Sequence, residues 1–258
     1  MSAPPYPSSH GLLAGRTVLV TAAAGTGIGF ATARRAAEEG ATVALSDRHE
    51  RRLAEAADQL AALTGTRPLA VPCDVTVEAD VQRLFTTVAA QLGHLDVLVN
   101  NAGLGGTAAL ADMTDEQWHA VLDTTLTGTF RCTRAALRIM REQRAGIIVN
   151  NASVLGWRAQ AGQAHYAAAK AGVMALTRCA AIEAAEFGVR VNAVAPSLAM
   201  HPFLAKVTSE ELLAELTARE ASGRPAEPWE VANVIVFLAS EYSSYLTGEV
   251  VSVSSQHP

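Results

Sequence analysis

The stretch Arg16-Thr17-Val18-Leu19-Val20-Thr21-Ala22-Ala23-Ala24-Gly25-Thr26-Gly27-Ile28-Gly29 decides the fold. Arg16–Thr21 is an apolar run of strand length with little alternation, which suits a strand covered on both faces. A helical pattern opens at Ile28 and runs to Glu39. Between them Gly25, Gly27 and Gly29 crowd one strand-to-helix turn. Glycines there let the backbone approach a phosphate, and the helix start offers free N–H groups and the positive end of its dipole. A tight turn with no ligand is the plain alternative. Its place after the first strand and before a helix favours the phosphate-binding reading, with Thr21, Gly25, Thr26, Gly27 and Ile28 as contacts.

The same alternation continues outward. Further strands are expected at Ala41–Ser46, Leu69–Cys73, Leu95–Asn100, Gly146–Asn151, Arg190–Ala195 and Val250–Val253. Helices are expected at Glu50–Leu63, Glu78–Gln91, Asp115–Arg141, Ala164–Phe187, Thr208–Glu220 and Pro228–Ser240, with Thr208-Ser209-Glu210-Glu211 resembling a capping box and Pro228 opening its helix. Repeated strand-helix-strand units predict an α/β fold, a single-domain doubly wound parallel sheet of about seven strands flanked by helices. Residues 1–13 read as a flexible tail and 14–258 as the domain, with a lid over about 198–225.

Composition narrows the partners. Half of the 258 residues are apolar and 17% are charged, and the net charge is −5. There is no basic stripe for nucleic acid. No apolar run approaches the ~18 residues of a membrane span, and the Pro/Ser-rich start lacks the n- and h-regions of a signal peptide. Cys73, Cys132 and Cys179 have no metal-ligand spacing and fit a reducing, cytoplasmic setting.

Candidate site residues fall at strand ends. Asp47 ends the second strand, eighteen residues beyond Gly29. A carboxylate there accepts both ribose hydroxyls of NAD and repels the 2′-phosphate of NADP, whereas Arg48 beside it could meet that phosphate. NAD is the favoured cofactor and NADP the lesser one; a helix N-cap is the structural alternative for Asp47. Asp74-Val75 follows the third strand, where the carboxylate can accept from an adenine amino group or cap the next helix. Asn101, Ala102 and Gly103 follow the fourth strand. Ser153 lies just past the fifth, and thirteen residues on come Tyr166 and Lys170, four apart on one helix face. A lysine ammonium beside a phenol is expected to lower the phenol's pKa from its usual ~10, making Tyr166 a general acid/base. By itself the pair also reads as a solvated helix face.

Taken in order, the glycine-rich turn, Asp74, Asn101-Ala102-Gly103, Ser153, Tyr166 and Lys170 resemble the short-chain dehydrogenase/reductase family over roughly residues 14–253. The resemblance implies an NAD(P)-dependent oxidoreductase acting on CH–OH groups. Tyr166 would be the acid/base, Lys170 would lower its pKa and bind the nicotinamide ribose, and Ser153 would hold the substrate oxygen. It also implies a homotetramer paired through Asp115–Arg141, Ala164–Phe187 and Val250–Val253. The departures are specific. Ala22 stands where the family has Gly, in a loop one residue longer. Thr125 stands for the Asn that helps hold a proton-relay water, and is counted with the catalytic residues. Pro196-Ser197 replaces Pro-Gly, and His201 stands for a Thr near the nicotinamide. Ala199 is expected to offer its backbone to the carboxamide.

On the substrate side, Leu198, Met200, Phe203, Leu204 and Leu212 suggest a bulky apolar substrate or simply pack the lid. Val154, Leu155, Trp157, Gln160 and Gln163 are expected to line the pocket, with Ser153, Leu155, Gln163 and Tyr166 as substrate contacts. His165 and His201 lie nearby and read as structural. Lys206, Arg219 and Arg224 either meet acyl-CoA phosphates or form a solvated face. Asn151-Ala152-Ser153-Val154-Leu155-Gly156-Trp157 and the glycine-free ending Ser252–Pro258 resemble a narrower branch, the actinobacterial acyl-CoA dehydrogenases of steroid C/D-ring breakdown. That likeness implies a ring hydroxyl on a bicyclic acyl-CoA as the reacting group. An NADP-dependent 3-oxoacyl-thioester reductase is the alternative.

Overall fold

The computed structural model describes residues 2–200, 204 and 210–256. Seven parallel strands, β1 (Thr17–Thr21), β2 (Thr42–Asp47), β3 (Leu69–Pro72), β4 (Val97–Asn100), β5 (Gly146–Asn151), β6 (Val189–Pro196) and β7 (Val250–Val253), form one sheet. Their spatial order is β3-β2-β1-β4-β5-β6-β7. The doubly wound sheet read from the sequence is thus present. The order reverses between β1 and β4, and a crevice at such a switch point is where open α/β sheets take ligands.

Period-two alternation sends β1 into two cores. Val18 and Val20 pack with Phe30 of α1 (Ile28–Glu38), Leu53 of α2 (Glu50–Thr64) and Ile235 of α8 (Pro228–Ala239). Leu19 packs on the other face with Leu84 and Phe85 of α3 (Glu78–Leu92) and with the long helices that follow. Leu98 and Ile148 are in register and fully buried. Truncating either to Ala costs about 2–5 kcal/mol.

The helix expected over Asp115–Arg141 is not uniform. It divides into α4 (Asp115–Leu122), a π turn (Asp123–Thr127) and α5 (Gly128–Gln143). The Gly128 N–H reaches back to the Asp123 carbonyl, and Gly128 packs so closely on Val75 that a Cβ there would fall within 3.0 Å of it. The extra residue in the turn points Thr125 inward; such insertions recur at functional sites. α6 (Ala164–Ala185) follows β5, and α7 (Glu210–Ala218) precedes α8. The capping residues expected at Thr208-Ser209 lie outside the described residues.

The N-terminal segment, read as a flexible tail, carries no helix or strand but is pinned. The Tyr6 hydroxyl donates to Glu38 at 2.6 Å, and the ring stands edge-on to Trp229 at 5.4 Å. The Glu39 carboxylate, fully buried and paired with Arg35 at 2.6 Å, accepts from the His10 and Leu12 amides. Among the described residues no helix is long and apolar enough to cross a membrane.

Candidate active site

The carboxyl ends of β1, β4 and β5 are joined by one chain of polar contacts. The Thr21 hydroxyl accepts from the Asn101 and Ala102 amides at 3.0 and 3.1 Å. Asn101 Nδ2 donates to the carbonyls of Thr21 and Ala22 at 3.3 and 3.1 Å, and its Oδ1 accepts from Asn151 Nδ2 at 2.9 Å. The Asn151 carbonyl then accepts from Lys170 Nζ at 2.5 Å. The glycine-rich turn and the lysine on α6 are thereby held to one frame. Asn151 is the functional residue that sequence reasoning passed over. Its signal was its place two residues before Ser153, at the end of the strand beside β4.

The glycine-rich turn fits a pyrophosphate. α1 has no side-chain cap at Gly27 and no acidic residue in its first turn, so its opening amides are left for an anion. Gly25 adopts φ +117 with nothing within 4 Å of where a Cβ would be. Ala22 takes φ +49, a left-handed conformation that costs an alanine more than the family's glycine. Gly29 has no room for a side chain, since a Cβ would come closer than 3.0 Å to Ala22 O and Asn101 Nδ2.

Asp47 lies under this turn. Its carboxylate accepts from the Ala24 amide at 3.3 Å and the His49 amide at 3.0 Å. It does not cap α2, whose N-cap is His49. Arg48 is exposed, with a 3.4 Å contact to the His49 ring. Asp74 accepts from the Thr76 amide and hydroxyl through one oxygen, at 2.9 and 2.7 Å, in the turn before α3, which is capped at Val77 instead. Val75 is buried against Gly128. Ala102 and Gly103 follow at the end of β4, Gly103 exposed. A Cβ on Gly103 would lie 3.5 Å from Lys170 Nζ and 3.8 Å from Thr125 Oγ1, so both groups face that glycine.

Ser153 Oγ accepts from the Leu155 amide at 3.2 Å, and its hydroxyl acts on the Tyr166 phenol closely enough to lower its pKa. The Lys170 ammonium stands 5.5 Å from the Tyr166 ring centre. Here one expectation is corrected. Burial pushes the Tyr166 phenol up, and the Ser153 hydroxyl offsets only part of this. Burial also lowers Lys170 to about 8. Desolvation outweighs the neighbouring charge because Lys170 is 3% exposed, Tyr166 is half-buried beside it, and Lys170 directs a proton at the Asn151 carbonyl, not at the phenol.

Thr125, fully buried, closes a ring with the β4–α4 loop: its hydroxyl accepts from the Leu104 amide at 3.0 Å and donates to the Leu104 carbonyl at 3.3 Å. Its own carbonyl accepts from the Thr129 hydroxyl at 2.7 Å. Gln163 donates to Gly106 O and Thr107 Oγ1 at 2.8 and 3.1 Å, which pins the same loop. Trp157 is half exposed, while Val154 is buried. Arg224 is held by both oxygens of Glu230 at 2.6 and 2.8 Å, and Arg219 by Glu215 at 2.5 Å. His201, Phe203 and Lys206 lie outside the described residues. Leu198 and Met200 bond Ala226 on either side of Ala199, leaving the amide and carbonyl of Ala199 itself out of that bridge.

A family model described as enoyl-(acyl carrier protein) reductase matches residues 22–255. The chain is 66% identical over 257 residues to the (5R,7aS)-5-hydroxy-7a-methyl-1-oxo-2,3,5,6,7,7a-hexahydro-1H-indene-carboxyl-CoA reductase of Mycobacterium tuberculosis, covering 99% of this chain and 98% of that one. It is 44% identical over 242 residues to a cis-4-hydroxycyclohexanecarboxylate dehydrogenase of Sinomonas cyclohexanicum, covering 92% and 94%. A crystal structure of a short chain dehydrogenase from Mycobacterium smegmatis superposes with TM-score 0.89 at 61% identity, over 100% of this chain and 99% of that one. With the Ser153, Tyr166 and Lys170 side chains gathered at the strand ends, the chain belongs to the short-chain dehydrogenase/reductase family, oxidoreductases that use a nicotinamide cofactor on a hydroxyl or ketone carbon.

Proposed function

We propose that the chain interconverts a secondary ring alcohol and its ketone on a bicyclic carboxyl-CoA thioester, with NAD as the cofactor. The single observation that carries this is the buried Lys170 ammonium 5.5 Å from the Tyr166 ring, with Ser153 acting on the same phenol, in a chain 66% identical to a relative named for such a substrate. The 44% identical relative is also named for a hydroxylated ring bearing a carboxyl group. Asp47 supports NAD: its buried carboxylate under the glycine-rich turn would face a ribose and would repel a 2′-phosphate.

When bound, the nicotinamide supplies hydride acceptance or donation at its C4. The glycine-rich turn and the first amides of α1 would hold the pyrophosphate, Asp47 the adenosine ribose, Asp74 and Val75 the adenine, and Lys170 the nicotinamide ribose. Ser153 and Tyr166 hold the substrate oxygen between two hydroxyls. Tyr166 gives its proton to that oxygen in reduction and takes it back in oxidation. The phenol, raised by burial, is protonated at rest and so is poised to donate to a carbonyl. Lys170 at about 8 is mostly protonated at neutral pH, and its ammonium stabilises negative charge on the phenol as the proton leaves. Thr125 and Gln163 set the loop that walls this space, and Leu155 lies at its Ser153 side. The lid expected over about 198–225 includes 201–203 and 205–209, which lie outside the described residues.

Three free cysteines, two of them buried, support a reducing, cytoplasmic setting. Exposed Phe130 on α5 and Ile182 on α6, with β7 at the open sheet edge, support a homotetramer built on those faces.

The test is turnover of an oxo- or hydroxy-hydrindane carboxyl-CoA against a linear 3-oxoacyl-CoA, each with NAD(H) and NADP(H). The reading expects the bicyclic thioester to have the higher kcat/KM with NAD(H), and Tyr166→Phe to lose at least about two orders of magnitude in kcat while still binding NADH. Preference for the linear thioester with NADPH would overturn it.

A further inference from the structure

The ending Ser252–Gln256 has no glycine, and the chemistry described so far gives it no task. Its partners lie elsewhere in the fold. Glu220, just past α7, is a carboxylate only 4% exposed, and among the described residues its hydrogen-bond partners include no cation. One oxygen accepts from the Ser255 amide and hydroxyl at 3.3 and 2.8 Å. The other accepts from Gln256 Nε2 at 2.9 Å and from the Leu198 amide at 3.4 Å, and the Ser197 side chain is a further partner. Gln256 in turn accepts from Arg158, in the loop between Ser153 and Tyr166. The Ala221 amide donates to the Ser255 carbonyl, and the Ser222 and Ser255 hydroxyls meet at 2.9 Å.

Three segments therefore converge on one buried carboxylate: the exit from β6, the end of α7 and the last described residues of the chain. The exit from β6 is the segment that matters for the site. Pro196 ends that strand at the ligand-binding rim, and Ala199 belongs to the same apolar cluster as Ala23 of the glycine-rich turn. Burial alone would push the pKa of such a carboxylate up, so its ionised form depends on the donors around it. The hydrogen bonds from Ser255, Ser197, Gln256 and the Leu198 amide together hold it below the usual carboxylate value. The assembly is directional: among the described residues every partner of the carboxylate is a donor.

We propose that Glu220 is a positioning residue for the nicotinamide half of the dinucleotide, holding the Ser197–Ala199 backbone in place, and that Ser255 and Gln256 act on the site through it. This rests on the cofactor reading above. Glycine at position 255 would remove the 2.8 Å hydroxyl donor, so the serine of the ending has a defined task.

The experiment compares two probes on the purified full chain. NADH carries the nicotinamide; ADP-ribose carries the adenosine diphosphate and ribose but no nicotinamide ring. Binding is measured by fluorescence for NADH and by its displacement or calorimetry for ADP-ribose. Glu220→Gln and Ser255→Gly are each expected to weaken NADH by about tenfold, the scale of one lost hydrogen bond to a charged group, and to leave ADP-ribose within about twofold. The double variant is expected to lose little more than Glu220→Gln alone, because the two residues act as a unit. Equal loss for both probes, or no loss for either, would overturn the proposal. If Glu220→Gln does not fold, the Ser255→Gly and Gln256→Ala comparisons decide the same question. Failure of the wild-type chain to bind NADH or NADPH at all would sink the cofactor reading instead, which keeps the two failures apart.

Discussion

Replacing Gly29 with alanine is expected to damage folding and cofactor binding together. The added methyl would press on the Ala22 carbonyl, which belongs to a backbone already in the left-handed region, and on Asn101 Nδ2, which donates to that carbonyl and to Thr21. Neither can move alone, because the nitrogen and the oxygen are partners at 3.1 Å. Forcing an extra carbon into such a site costs about 1–3 kcal/mol. Losing the two Asn101 bonds adds about 0.5–1.5 kcal/mol each. The whole comes to about 2–6 kcal/mol, or a fall in Tm of roughly 4–24 °C for a chain this size. Thermal unfolding followed by circular dichroism reads the first effect and NADH fluorescence the second. Gly105→Ala is the control: nothing lies within 4 Å of its Cβ position, and it should be close to neutral. A Gly29→Ala protein that melts within about 1 °C of wild type and binds NADH normally would refute the packing argument.

Three further expectations follow from the site. Lys170, lowered by burial to about 8 from 10.5, binds fewer protons folded than unfolded between those values, so it makes stability rise with pH from about 8 to 10.5. Lys170→Met should flatten that slope in denaturant titrations run across the window, and an unchanged slope would mean that another group supplies it. Thr125→Val leaves the Leu104 amide and carbonyl without their buried partner and should cost about 1–3 kcal/mol, whereas Thr125→Asn, whose amide can both donate and accept, should be tolerated; equal Tm values for the two variants would count against the ring described here. Asp47→Ala should narrow the ratio of NADPH to NADH dissociation constants, and a ratio that does not move would point to Arg48 or the turn as the discriminator.

Much of this was legible from spacing. Tyr166 and Lys170 share a helix face because the helical period puts residues four apart together, and continuous apolar runs at Val18–Val20 and Val97–Val99 suit strands covered on both sides. What spacing does not carry is depth. The charge of Lys170 next to Tyr166 was visible, but which effect governs the phenol depends on how far packing removes both from water, and there desolvation prevails. The π turn at Asp123–Thr127 was hidden for a similar reason: three threonines, an aspartate and a leucine do not tell a π turn from an α turn, and the close packing of Gly128 on Val75 and the Thr125–Leu104 ring accompany the extra residue. The Glu220 assembly joins residues 22 to 36 positions apart, beyond any local pattern.

The bond from Lys170 to the Asn151 carbonyl has a practical consequence. Asn151 ends β5, and the side chains of Asn101 and Asn151 meet only because β4 and β5 pair Asn100 with Asn150. Sliding β5 by one residue would exchange its two faces and present Lys170 with a different carbonyl, while leaving a compact, helical chain that far-ultraviolet dichroism would score as native. The register that seats Lys170 is thus the same one that buries Ile147, Ile148 and Val149, so the packing of the sheet and the placing of the ammonium cannot be varied independently.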